Sequence, residues 1–213
     1  YKIEKVEVTG EIRNAKIDCY NVLGKTEAGG DVYAQYTVKG GKLLSFLAHK
    51  NCAGEDITED DAEKRAEEFL EAKGLKNMTR VWRYTSGGVE YFNYAYAQNG
   101  CVVYPDLVKL TVCRETGIVT GMNAEEYYLN HTERGKFAAK YTMEQAEDKA
   151  NDTLTVTARK KAIVPIGNGK ETFAYEFAGT YEGDEYYVFL DADTLKEIKI
   201  YKVVETEEGI LLV

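Results

Sequence analysis

A chain of 213 residues with 44% hydrophobic and 30% charged residues has an ordinary globular balance, enough for one large domain or two to three small ones and too apolar for disorder. Its net charge of −9 argues against nucleic acid as a partner, because phosphate recognition needs a dense Lys/Arg surface. The same charge disfavours attachment to an anionic membrane surface and fits a basic protein partner better.

The chain enters at once on alternating apolar residues, Ile3, Val6 and Val8, without a methionine, as expected of a fragment whose natural N-terminus lies elsewhere. No apolar run approaches the ~20 residues needed to cross a bilayer, and no signal peptide is present, which says nothing about the full-length protein. AKIDCYNVLG and GGDVYAQYTVKGGKLLSFLA read as strands around the turn Gly40-Gly41.

ITEDDAEKRAEEFLEAKG then predicts a helix, with Thr58 as N-cap, Asp61 three residues on, and Ile57 against Ala62 as a hydrophobic staple. Ala62, Ala66, Phe69 and Leu70 line one face, opposite Glu63, Lys64, Glu67 and Glu71, and Gly74 supplies a left-handed stop. TRVWRY, EYFNYAYAQ and CVVYPDLVKLTVCRETGIVTGM follow as strands, with turns at Ser86-Gly87-Gly88, Asn99-Gly100 and Glu115-Thr116-Gly117. Pro105 cannot donate to a sheet ladder and is expected at a bulge or an edge. NAEEYYLNH reads as a short helix capped by Asn123 with Glu126 reaching back, and HTERGKFAAKYT as a linker.

A second helix, YTMEQAEDKANDTLTV, repeats the first: Thr142 caps, Gln145 closes a capping box, and Ala146, Ala150 and Leu154 form the apolar stripe. The two caps stand 84 residues apart. TARKKAIVPI, KETFAYEFAGTY and DEYYVFLDADTLKEIKIYKVVE then repeat the strands, and YVFLDADTLKEIKIY restates the hairpin VKLTVCRETGIVTGM. The chain is therefore read as an α+β protein of tandem units, each a short helix packed on an antiparallel β-meander. The units run from 1 to 53, lacking its helix, from 54 to 135, and from 136 to 213.

Chemistry finds little support in the residues. There is no G-x-S-x-G, and His49 and His131 read as a strand-end residue and a helix cap. The carboxylates lie mostly on solvated helix faces, and Asp191-Ala-Asp193 lacks the glycine and the closing glutamate of a calcium loop. Cys19, Cys52, Cys101 and Cys113 show no paired metal-ligand spacing; they read as buried or free thiols, with a Cys101–Cys113 disulfide open if their strands are neighbours. No catalytic residue, metal or cofactor is expected. The 17 tyrosines read mostly as sheet and core residues, with about a third exposed as contact surface.

The T-x-x-x-A helix openings and the D/E-x-x-T/G turns are similar to the PepSY domain. The run VYPDLVKLTVCRETGIVTGMNAEEYYLNH, residues 103–131, resembles the C-terminal region of the YpeB family of spore germination proteins, with YPD, the turn, the following glycine, EYY and NH in that order. The resemblance covers nearly the whole chain and is weakest in the first thirty or so residues. It implies a non-enzyme anchored by an N-terminal membrane segment, placed in the spore envelope at the outer face of the inner membrane and the cortex. It implies a SleB-like cortex-lytic enzyme as the partner that is bound, stabilised and restrained. A peptidase-inhibitor module and a peptidoglycan-binding module are the alternatives. Tyr104, Pro105, Asp106, Tyr127 and Tyr128 are the expected partner-binding residues, the first three as surface candidates, and homodimerisation through a sheet edge is also open.

Overall fold

The computed structural model describes residues 1–13, 15–206 and 209–213. It divides into two compact units, residues 1–95 with 106–131, and residues 96–105 with 132–213.

The first unit contains β1 (Ile3–Ile12), β2 (Cys19–Thr26), β3 (Asp31–Thr37), β4 (Leu43–Ala48), α1 (Glu59–Ala72), β5 (Met78–Ser86) and most of β6 (Val89–Gln98). The C-terminal part of β7 (Cys101–Cys113), then β8 (Val119–Asn123) and α2 (Glu125–Asn130), complete it. Its strands run in the order β1-β2-β3-β4-β8-β7-β6-β5. Antiparallel pairing of β4 with β8 places the strands before residue 53 in one sheet with those that follow α1. Cross-strand neighbours Val22, Ala34, Phe46 and Met122 share the face that carries α1, where Phe46 meets Phe69 at 5.6 Å between ring centroids.

Helix α1 starts and stops where its caps dictate. The Thr58 hydroxyl accepts from the Asp61 N–H at 3.1 Å. Gly74 takes φ +76°, which lets Leu75 donate to the Leu70 carbonyl and Gly74 to that of Glu71. Ala62, Ala66 and Leu70 are buried against the sheet.

The second unit holds the start of β7, α3 (Met143–Ala150), β9 (Thr155–Gly167), β10 (Lys170–Tyr181), β11 (Asp184–Asp191), β12 (Glu197–Thr206) and β13 (Gly209–Leu212). Residues 101–103 of β7 run parallel to 161–163 of β9, the one departure from an otherwise antiparallel meander among the pairings described. The capping box of α3 forms as the sequence predicts, with Thr142 and Gln145 bonded reciprocally. Ala146, Ala150, Leu154, Tyr175, Phe177 and Leu190 make its core. The chains approach so closely at Gly179 that a Cβ there would lie 2.4 Å from the Thr155 carbonyl oxygen.

The duplicated hairpin is duplicated in detail. In the first unit Gly117 donates to the Cys113 carbonyl and Ile57 to that of Arg114; in the second, Leu195 donates to Asp191 and Tyr141 to Ala192. The segment read as a linker has no regular structure through residue 139, yet it is tethered: Arg134, its side chain 6% exposed, pairs with Glu171 at 2.6 Å and exchanges hydrogen bonds with Gln98.

The cysteines require a correction. Cys101 and Cys113 begin and end one strand, so a rise of ~3.3 Å per residue separates them by ~40 Å, far beyond disulfide reach. Cys113 instead bonds Cys52, with the Cα atoms 5.5 Å apart. Cys19 and Cys101 are buried thiols, and burial raises the pKa of both.

Candidate functional site

The Tyr-Pro-Asp motif on β7 leads into two separate arrangements. In the first unit, β7 delivers Asp106 and α2 delivers the aromatic residues. Asn123 accepts from the Glu125 N–H at 2.9 Å, Ala124 rather than Asn123 stands at the cap position, and the Glu126 carboxylate accepts from Asn130. Tyr127 is 9% exposed and meets half-buried Tyr128 edge-on at 5.5 Å. His131 ends the helix by donating its N–H to the Tyr127 carbonyl, and its ring stacks on Tyr127 at 4.3 Å. Its Nδ1 lies 2.7 Å from Oδ2 of Asp106, whose side chain is fully buried. A carboxylate that fixes an imidazole is half of the arrangement that activates a nucleophile. Here the pair also fastens the end of α2 to β7, a role that needs no further group.

In the second unit, the Tyr104 hydroxyl donates to Oε2 of Glu176 at 2.6 Å, and Lys160 Nζ stands 3.2 Å from Oε1. The Glu176 side chain is 2% exposed. Burial first, then the adjacent Glu176 charge, holds the Tyr104 phenol far above the usual range, so it serves as a fixed donor. Its ring meets Phe189 edge-on at 5.6 Å. Pro105 follows in β7, beyond the residues that pair with β9.

The surface position expected of the motif is therefore corrected at Asp106, and Tyr127 is buried as well. Asp106 is buried by a contact with His131, 25 residues away, that no local pattern reveals, whereas Tyr127 packs on its near neighbours Tyr128 and His131. Of the 17 tyrosines, the exposed ones are Tyr1, Tyr33, Tyr36 and Tyr181, fewer than a third. The sequence reading missed two buried carboxylates, Glu176 and Glu90, although both stand at core-facing positions of alternating strands, Glu90 in register with Phe92 and Tyr94. Among the described residues, no group of three or more His, Cys, Asp or Glu converges to hold a metal ion.

Two copies of a capped helix followed by a meander, closed by the same turn, define a tandem PepSY-type protein. Residues 1–137 match the family described as YpeB sporulation, PepSY1 and PepSY2 domains, and residues 140–201 match the peptidase propeptide and YPEB domain. The chain belongs to the YpeB sporulation family. It is 28% identical over 192 residues to a sporulation protein YpeB of Halalkalibacterium halodurans, covering 90% of this chain and 43% of that protein. With the Bacillus subtilis sporulation protein YpeB it shares 26% over 180 residues, covering 83% and 40%. The chain thus spans about two-fifths of the length of these relatives. The solved Bacillus megaterium YpeB C-terminal domain superposes with a TM-score of 0.83 at 27% identity, covering 93% of this chain and 88% of that one.

Proposed function

We propose that this region is a non-catalytic regulator of spore germination, one that binds, stabilises and restrains a SleB-like cortex-lytic hydrolase. The sporulation role follows from the family. The regulatory role rests on one observation: PepSY-type sequence, a class also described as peptidase propeptide, accounts for residues 1–137 and 140–201. A propeptide module acts by contact with an enzyme, and an acidic chain of net charge −9 favours association with a basic surface. In the whole protein the region would lie in the spore envelope, outside the inner membrane, on an anchor that precedes it.

The test mixes this 213-residue region with the cortex-lytic enzyme of the same organism and follows both binding and lysis of purified cortex. Micromolar or tighter binding with slowed lysis is the expected result. Absence of binding at tens of micromolar overturns direct contact through this region. The propeptide description also supports a second reading, inhibition of a peptidase, which the same assay with a spore peptidase in place of the hydrolase decides.

A further inference from the structure

The face of the β1–β4 sheet opposite α1 carries an ordered row of neutral polar side chains. Asn21, Gln35, Ser45 and Asn123 are direct cross-strand neighbours on four successive strands, β2, β3, β4 and β8. Three of them form a polarised relay: Ser45 Oγ donates to Gln35 Oε1 at 3.0 Å, and Gln35 Nε2 donates to Asn21 Oδ1 at 3.0 Å. The neighbouring row on the same face runs from Glu7 on β1 through Leu23, Tyr33 and Leu47 to Gly121. Tyr33 and Leu47 are 55% and 56% exposed. The absent side chain of Gly121 keeps the floor flat, since a Cβ there would meet Thr111 Oγ1 at 2.8 Å. The polar row, with Tyr33 and Leu47 of its neighbour, lines a shallow groove of about 440 Å³.

We infer that this groove binds a neutral, extended, β-1,4-linked glycan of N-acetylated sugars lying across the strands. The spacing carries the argument. Adjacent strands stand ~4.8 Å apart, close to the advance of one residue of such a chain, so each sugar would meet one amide or hydroxyl of the relay. Asn21 and Gln35 use their oxygens within the relay and Asn123 uses its own for the Glu125 N–H, so these amides keep N–H donors for sugar hydroxyls and acetamido carbonyls. Tyr33 offers a ring for the apolar face of a pyranose, and Leu47 offers contact for an acetamido methyl. The groove lining contains no charged side chain, and the charged neighbours Glu7 and Lys109 stand at the ends of the two rows, outside it, which fits neither nucleic acid nor an acidic peptide. An extended peptide added as a strand needs an open strand edge, and β2, β3, β4 and β8 are each paired on both flanks.

This inference is independent of the hydrolase contact and is tested without the enzyme. The isotope-labelled chain is titrated with the hexamer of N-acetylglucosamine, and with cellohexaose as the unacetylated control, while backbone and side-chain amide resonances are followed. Saturable shifts at the side-chain amides of Asn21, Gln35 and Asn123 are expected, stronger for the acetylated chain. Tyr33→Ala and Gln35→Leu should each weaken binding about tenfold, the cost of one good contact, and Tyr33→Ala, an exposed site on a folded sheet, leaves the remaining spectrum in place. Three outcomes overturn the inference: no saturable shift with millimolar hexamer, shifts that both substitutions leave unchanged, or self-association without sugar that covers these same resonances.

Discussion

Glu90 shows how a single residue sets a pH dependence. Its side chain is 1% exposed, one carboxylate oxygen accepts from Thr85 at 2.7 Å, and the other has no hydrogen-bond partner among the described residues. Burial raises its pKa, with a smaller push from Glu59, and the Thr85 hydrogen bond, Arg83 and Arg114 only partly offset this. A carboxyl whose folded pKa exceeds its unfolded value of about 4.3 binds its proton more tightly in the fold. Its stabilising contribution is complete below that unfolded value and is lost as pH rises through the folded one. Glu90→Gln should therefore gain about 1 kcal/mol at pH 8 relative to pH 4. Urea unfolding of both proteins at the two pH values measures this; equal differences would mean that Glu90 ionises without cost.

At the scale of elements, the two copies solve one problem with different chemistry. The hairpin turn needs a left-handed residue, provided by Gly117 at φ +69° in the first unit and by Leu195 at φ +56° in the second. At the strand end before it, Asp191 collects hydrogen bonds from the N–H groups of Asp193 and Thr194 and from the Thr172 hydroxyl. Burial works against that carboxylate, but these bonds outweigh it and hold its pKa below the usual value. Its counterpart in the first unit is Cys113, where the disulfide to Cys52 does the tethering. With its partners separated by 61 positions in sequence, the chain-entropy relation gives that bond about 4 kcal/mol as an upper figure. The sole tryptophan, Trp82, lies on β5 of the same unit, so its fluorescence reports that unit's unfolding. Reductant should lower the unfolding midpoint read by Trp82, and Cys52→Ser with Cys113→Ser should reproduce the loss and abolish the response. A midpoint indifferent to both would show that the tether adds nothing.

The same elements show what sequence can convey. Thr58, Gly74, Thr142 and Gln145 were legible because a cap is satisfied within a few residues of itself. Asp106 and Tyr104 were not, because their burial depends on His131, 25 residues away, and Glu176, 72 residues away. Val6 and Val8 correctly marked β1 as a strand, yet they stand 65% and 61% exposed, since alternation reveals extended backbone and not what covers it. The amide relay exists only once three strands, β2, β3 and β4, fix their register, so its candidate site could not be read before pairing was known.

For the molecule as a whole, charge separates the two contacts proposed. A net charge of −9 attracts a basic enzyme over distances that salt controls. The screening length falls from about 10 Å at 0.1 M to about 3 Å at 1 M, so long-range attraction between exposed charges is largely removed over that range. A glycan groove lined by amides, a hydroxyl, Tyr33 and Leu47 has no charged partner to lose. Affinity for the hydrolase should therefore fall at least tenfold as salt rises over that range, chiefly through slower association. Affinity for the N-acetylglucosamine hexamer should change less than twofold. Surface-immobilised binding kinetics for the enzyme and amide-shift titrations for the sugar, run at both salt concentrations, compare the two directly. Salt-insensitive association with the enzyme would place its contact on apolar surface and leave the acidic balance of the chain without a part in recognition.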